Sequence, residues 1–132
     1  GVAGGPVIDW KYYEVMYTER YMDTPETNTA GFARASLLDK VENLQGKLLL
    51  IHGADDNNAG TYPMQSERLF SAIKGLGGQA RLVLFPRESH GYRARESLLH
   101  MLWEQEEWLK KYLLNADPAA DASPSKSVPA RA

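Results

Sequence analysis

Apolar residues in this chain gather into short unbroken runs and longer periodic stretches, separated by small and polar residues. The clearest run is Leu48–Ile51, in KLLLIHGADDNN, which is bounded by Gly46 and Gly53 and leads directly into small, polar and acidic groups. Consecutive apolar residues leave a strand no solvent-facing side, so this one is buried on both faces, which predicts a parallel sheet covered by helices. Arg81–Phe85 (RLVLF) is a second such strand. The opening GVAGGPVIDW reads as a small-residue strand whose glycines allow close approach of neighbouring backbone.

Helical spacing governs the stretches between. In WKYYEVMYTERYM, Trp10, Tyr13 and Tyr17 fall at i, i+3 and i+7 and share one face if the segment is helical. Residues 23–36 (DTPETNTAGFARAS) hold Pro, Gly, Asn and Thr and read as a loop, followed by a short helical turn over Ser36–Asn43. Pro63 starts a helix that ends at Gly75–Gly78, with Met64, Leu69, Ile73 and Leu76 as its buried stripe. A longer helix over Ala94–Leu114 places Leu98, Met101, Leu102, Trp108, Leu109, Tyr112 and Leu113 at helical spacing with charges between them. Strands thus alternate with helices, and the connections are long enough for crossovers between parallel strands, so the fold class is α/β. Residues 1–115 form the folded part, and the Ala-, Pro- and Ser-rich residues 116–132 read as a tail.

Composition narrows the function. The chain has 132 residues, a formal net charge of -2 and no cysteine. Disulfides, thiol catalysis and thiolate metal sites are therefore excluded, and no basic surface invites nucleic acid. No apolar run approaches the roughly 18 residues that span a bilayer. The start, Gly1–Gly5, has no initiator Met and no signal-peptide pattern, and reads as cut from a longer chain.

The candidate chemistry lies in the loops that follow the two buried strands. In open α/β sheets ligands and catalytic groups gather at the C-terminal strand ends. Asp55 and Asp56 follow the first of these strands, and His90, in PRESHGY, follows the second. A carboxylate and a histidine at equivalent ends of successive strands suit the orienting acid and the base of a nucleophile-base-acid triad. Each has an ordinary alternative, the acidic pair as a solvated turn or helix cap and the histidine as a surface residue. No histidine has a partner at zinc-site spacing, so no metal is expected. His52 is expected to hydrogen-bond backbone at its strand end, and His100, with Glu96 and Glu104 four residues to either side, to form an exposed helix pair.

Three segments then carry a resemblance. GGPVIDWKYYEVMYTERYM resembles APVxxWxYYDxxYTERYM of the dipeptidyl peptidase IV branch of the prolyl oligopeptidase family, and LLLIHGADDNN is similar to that family's LLIHGxxDDN. ESHGYRARESLLHMLWEQEEWLKKYL resembles the family's C-terminal histidine loop and helix, with a flavour of its glutamyl-peptidase-like members. The resemblance implies the C-terminal portion of an α/β-hydrolase fold, and a serine peptidase acting after proline or alanine without a cofactor. By position it makes Asp56 the acid and His90 the base. Val7, Trp10, Tyr13 and Tyr17 match the walls of the proline pocket, and Asn58 matches the side chain that binds the substrate's backbone carbonyl. No serine of the chain lies in a G-x-S-x-G turn, so the nucleophile is expected from the rest of the parent chain, and the isolated chain is expected to be inactive. The implied partners are a peptide substrate and a second copy in a homo-oligomer, and bacterial relatives suggest a periplasmic or secreted parent. The alternatives are an acylaminoacyl- or glutamyl-specific peptidase of the same family, or a non-catalytic subunit-contact module.

Overall fold

The computed structural model describes residues 1–114, so the expected tail over 116–132 lies outside the described residues. Three parallel strands, β1 (Val2–Gly4), β2 (Leu48–Gly53) and β3 (Ala80–Phe85), pair in the order β1-β2-β3. Four helices, α1 (Val15–Met22), α2 (Thr29–Ala35), α3 (Pro63–Gly75) and α4 (Arg95–Leu109), lie between and after them. This is the expected α/β arrangement. Among the described residues no helix is long and apolar enough to cross a membrane.

The central strand β2 is buried on both faces, as its apolar run requires, and its period-two alternation sorts the core into two layers. Leu50 points to one side and packs with Ile8 and with Leu69 and Ile73 of α3. Leu49 and Ile51 point to the other and pack with Val83 and Phe85, with Met101 and Trp108 of α4 closing over them. In-register pairing of His52 with Leu84 and of Gly53 with Phe85 brings the ends of β2 and β3 level. The loops that leave them are therefore neighbours.

Several elements depart from the expected pattern. The first strand covers only Val2–Gly4, because Gly5 turns the chain (φ 51°) and Asp9 then caps a 3-10 turn at Trp10–Tyr12. Residues 23–36 contain helix α2, where Asn28 accepts a hydrogen bond from the Gly31 N–H and Phe32 is buried as its anchor. The turn before β2 forms at Leu38–Asn43, close to where it was expected. In α3, Leu69 and Ile73 are buried, but Met64 and Leu76 are 37% and 61% exposed, and Gln65 and Ser66 take the inner face instead. The polar residues face inward because the surface they meet is polar: the end of β2 presents His52, and the segment after β1 presents unpaired backbone.

Gln65 serves that backbone. Its Oε1 accepts from the N–H groups of both Ile8 and Asp9 at 2.9 Å, and its Nε2 donates to the carbonyls of Asp9 (3.2 Å) and Gly60 (3.4 Å). One fully buried side chain thereby joins α3, the segment after β1 and the loop after β2. On the opposite layer α4 presents Met101, Glu104 and Trp108 to the sheet, and Leu98, Leu102, Leu109 and Leu113 are exposed. Buried Glu104 is gripped by Arg81 of the edge strand at 2.8 Å and 2.6 Å and by His100 at 3.1 Å, and these bonds hold it below the usual carboxylate range against the opposing effect of burial. His100 therefore forms its helix pair with Glu104, as its spacing predicted, but the carboxylate of that pair is buried and not exposed as expected.

Replacing Gln65 by Leu strands two buried N–H groups and should cost about 2–6 kcal/mol, at 1–3 kcal/mol for each unsatisfied group. Leu76→Ala, at an exposed position, should change stability by less than about 0.5 kcal/mol. Urea unfolding midpoints of the two variants check this, and equal small shifts would show that Gln65 is not the tie it is described as.

Candidate active site

The two loops at the level ends of β2 and β3 are stitched together by their backbones. Ala54 N–H donates to the Phe85 carbonyl and Asp55 N–H to the Glu88 carbonyl, both at 2.9 Å. The fit needs a glycine at position 53, because a Cβ there would collide with the carbonyl oxygens of Glu88 and Ser89. Within this frame the neighbouring acids separate. Asp55 is exposed, and Asp56 is 2% exposed and turned inward.

Asp56 and His90 meet. Asp56 Oδ2 lies 2.9 Å from His90 Nδ1, and Oδ1 accepts from Asn58 N–H and from the Thr61 hydroxyl, each at 3.0 Å. Burial alone would raise the carboxyl's pKa, but the Asn58 N–H, His90 and Thr61 together hold it below the ordinary carboxylate range. An ionised Asp56 can only accept, so the proton between them belongs on His90 Nδ1, and the lone pair is left on Nε2. The imidazole lies across Gly5, whose Cβ position would be 3.0 Å from His90 Cε1, so what the opening glycines admit here is a side chain and not the neighbouring backbone expected of them. The ring is about half exposed, and it borders a cavity of about 400 Å³ with Gly5, Ile51 and Tyr92 in its wall. Tyr92 remains a phenol, pushed up to about 12 by burial and by the charges of Asp56 and Glu88.

Beneath Asp56 a second imidazole is fully enclosed. His52 Nε2 lies 2.7 Å from the Thr61 carbonyl and 3.2 Å from Asp56 Oδ2, and Nδ1 lies 2.7 Å from Ser66 Oγ. A carbonyl only accepts, so His52 takes the Nε2–H tautomer, and the Ser66 hydroxyl donates to Nδ1. The backbone partner expected for His52 is therefore Thr61, and the bond fixes the turn that holds Asp56.

The aromatic residues form a second cavity of about 400 Å³, lined by Trp10, Tyr13, Tyr17, Thr18, Tyr21 and Met22. They do not share one helix. The chain is extended at Tyr13 (φ -83°, ψ 164°), and Glu14 restarts it as the cap of α1, accepting from Tyr17 N–H at 2.7 Å. The Trp10 and Tyr13 rings meet edge to face at 5.1 Å. Glu14 N–H donates to the Ala59 carbonyl at 2.9 Å, and Gly60 abuts the Tyr12–Tyr13 backbone, so the aromatic segment is fastened to the Asp56 loop. Val7 is half-buried and Asn58 exposed, and neither lines this cavity. Asn58 contributes its backbone to the Asp56 turn, its carbonyl accepting from Thr61 N–H at 2.7 Å. Thr18, Tyr21, Met22, Thr61, Ser66, Glu88 and Tyr92 are members that the sequence did not single out. Only Tyr21, four residues after Tyr17 on α1, carried a spacing signal.

Known proteins with a similar sequence or fold are peptidases. The chain is 56% identical over 80 residues to a probable chloroplastic glutamyl endopeptidase of Arabidopsis thaliana, a match covering 61% of this chain and 8% of that protein. It is 32% identical over 114 residues to dipeptidyl peptidase 4 of Bos taurus, covering 84% of this chain and 15% of that one. The crystal structure of Porphyromonas gingivalis dipeptidyl peptidase 4 superposes with a TM-score of 0.81 at 28% identity, over 86% of this chain and 16% of that chain. The chain thus spans between 8% and 16% of the length of these relatives. The model of the prolyl oligopeptidase family matches residues 1–116, and with an α/β fold shared with dipeptidyl peptidase 4 the chain belongs to that family.

Proposed function

We propose that this chain supplies the acid and the base of a serine peptidase, Asp56 and His90, and that the parent protein cleaves peptides after proline or alanine. The observation that supports this reading is the 2.9 Å contact from a buried, ionised Asp56 to Nδ1 of His90, a half-exposed ring that borders an open cavity. A serine from elsewhere in the parent chain attacks the substrate carbonyl. His90 Nε2 takes the hydroxyl proton and returns it to the leaving amine nitrogen, and Asp56 holds the tautomer and stabilises the imidazolium between the two transfers. Water then repeats the sequence on the acyl-enzyme. The isolated chain, with no serine in a G-x-S-x-G turn, hydrolyses nothing on its own.

The aromatic cavity supports the preference for proline. Its six lining residues include four aromatic rings and no charged side chain, which suits a flat pyrrolidine and excludes bulkier groups by shape. A second reading, cleavage after glutamate, is favoured by the 56% identity to the probable glutamyl endopeptidase. The two readings differ in what the pocket must offer, because a buried carboxylate needs a cation or several donors.

Three outcomes test the proposal in the full-length parent. Asp56→Asn presents a donor where the imidazole needs an acceptor and should lower kcat by about 10⁴-fold, the loss that the same change causes in a serine-protease triad. Asp55→Asn, at an exposed residue, should lower it less than about tenfold. Equal small losses in kcat for both would remove the triad reading.

Tyr13→Ala should raise KM for a proline substrate and reduce the preference for proline over larger residues by roughly tenfold or more. Competition between Gly-Pro and Glu-containing anilides measures it, and a wild type that prefers glutamate would establish the second reading instead.

The third outcome concerns acid. Asp56 has a folded pKa below its unfolded value, so its contribution to stability is complete above the ordinary carboxylate range and is lost as pH falls through the lower folded value. Unfolding midpoints collected between neutral pH and pH about 2 should therefore fall less steeply for Asp56→Asn than for the wild type. Parallel curves would show that the carboxylate is not held as described.

A further inference from the structure

His90 sits in an irregular loop between β3 and α4, and an imidazole on such a loop is placed only as well as the loop is held. The loop begins badly for a regular backbone, since Arg87 occupies the left-handed region (φ 60°) that favours glycine. It ends at Ala94, the cap position of α4, whose methyl group cannot accept a hydrogen bond. Glu88 compensates at both ends. Its carboxylate reaches forward over His90, accepting from Arg93 N–H at 2.8 Å and from Ala94 N–H at 3.0 Å, with the Ser97 side chain as a further partner. Its own carbonyl accepts from Asp55 N–H at 2.9 Å, and its N–H donates to the Phe85 carbonyl at 3.3 Å.

We infer that Glu88 is a positioning residue for His90: it closes residues 88–94 into a ring that carries the imidazole and ties that ring to the loop carrying Asp56. The inference rests on the catalytic reading of Asp56 and His90. The geometry separates it from an ordinary helix cap. A cap serves its own helix, whereas Glu88 is bonded to the loop after His90 through its side chain and to the acid's loop through its backbone, with His90 between the two anchors. The residue is only 4% exposed, so water does not replace these bonds if the carboxylate is lost. The Arg93 and Ala94 N–H groups lie just before the first turn of α4, where a negative charge is also favoured by the helix dipole. The Glu88 carboxyl is accordingly held below the usual range, mainly by the Arg93 N–H.

The test is made in the full-length parent, with Glu88→Gln as the main variant, since it keeps the shape but turns a donor toward one of the two N–H groups. Displacement of a catalytic group by about 1 Å can cost on the order of 100-fold, so kcat on a peptide anilide should fall about 10- to 100-fold, with KM within about threefold of wild type. The signature is a comparison of leaving groups. Expulsion of an amine needs His90 as a proton donor, and expulsion of an activated phenol does not, so a displaced His90 should cost more on the anilide than on a 4-nitrophenyl ester of the same acyl group. A merely structural loss lowers both in proportion to the folded fraction. Ser97→Ala, which removes one neutral partner of Glu88, should shift the anilide-to-ester ratio in the same direction by a smaller factor, and it carries the test if Glu88→Gln does not accumulate as folded protein. Equal losses on anilide and ester, a loss confined to KM, or wild-type kcat in the folded variants would overturn the inference. A wild type no faster than its His90→Ala variant would overturn the catalytic reading as well. An active wild type with an unmoved ratio overturns the role of Glu88 alone.

Discussion

A carboxylate taken out of water costs several kcal/mol unless its hydration is replaced, and at Asp56 much of the local structure is that replacement. The Asn58 N–H, the Thr61 hydroxyl and His90 Nδ1 converge on its two oxygens. Each donor is itself held. Thr61 is fixed through its carbonyl by His52, a residue of β2 whose other ring nitrogen meets Ser66 of α3. A residue two positions earlier on the same face of β2, Leu50, packs in the apolar layer against α3, so one strand face changes from core to polar network over a single pleat. The ionised acid is therefore supported by the same helix that builds the core.

Gln65 extends this support sideways. By bonding the backbone at Ile8, Asp9 and Gly60 it fixes the segment that leads into the aromatic residues relative to the loop that carries Asp56. Gly60, pressed against the Tyr12–Tyr13 backbone, and the Glu14 bond to Ala59 complete the connection. The aromatic cavity and the acid-base pair thus share one scaffold, although they lie on opposite sides of a long stretch of sequence. A substrate side chain seated among the rings would be held in register with the pair by backbone, the part of the chain least able to drift.

What was legible in the sequence follows from which interactions have a period. β2 was plain because a strand covered on both faces must be apolar at every position. β3 shared the apolar run but leaves Arg81 and Leu84 exposed, so it is not covered on both faces as expected. The Asp and His loops were plain because they follow these two runs. The α3 stripe was partly misplaced, since apolar spacing cannot register that the surface it meets is polar and calls for Gln65 and Ser66. Helix α2 was hidden because Asn28 and Gly31 read as breakers, whereas in the fold one caps and the other makes room for the capping side chain. The choice of Asp56 over Asp55 came from resemblance, because two adjacent acids after a strand differ only in direction. Thr61 and Glu88 had no signal, since what they hold is largely main chain, which every sequence possesses.

The rivalry between proline and glutamate reduces to the same electrostatic cost that organises Asp56. An acidic substrate side chain entering the aromatic cavity would lose its hydration among rings, a threonine and a methionine. Asp56 tolerates burial because donors converge on it from its own loop and from His90, whereas the residues lining the cavity bring hydroxyl and indole N–H groups but no charged side chain. Arg20 is on the same helix, but its guanidinium lies over the Tyr21 ring at 5.7 Å, occupied with a face of the wall. A glutamate-binding site built on these residues would need that cation to leave the ring and enter the cavity, or the hydroxyl and indole N–H groups of the lining to converge on the carboxylate. A pyrrolidine asks for no such rearrangement, since it brings no charge and matches the ring faces already present. On that ground the absence of charge in the lining supports the proposed proline reading, and the identity to a glutamyl endopeptidase supports the other.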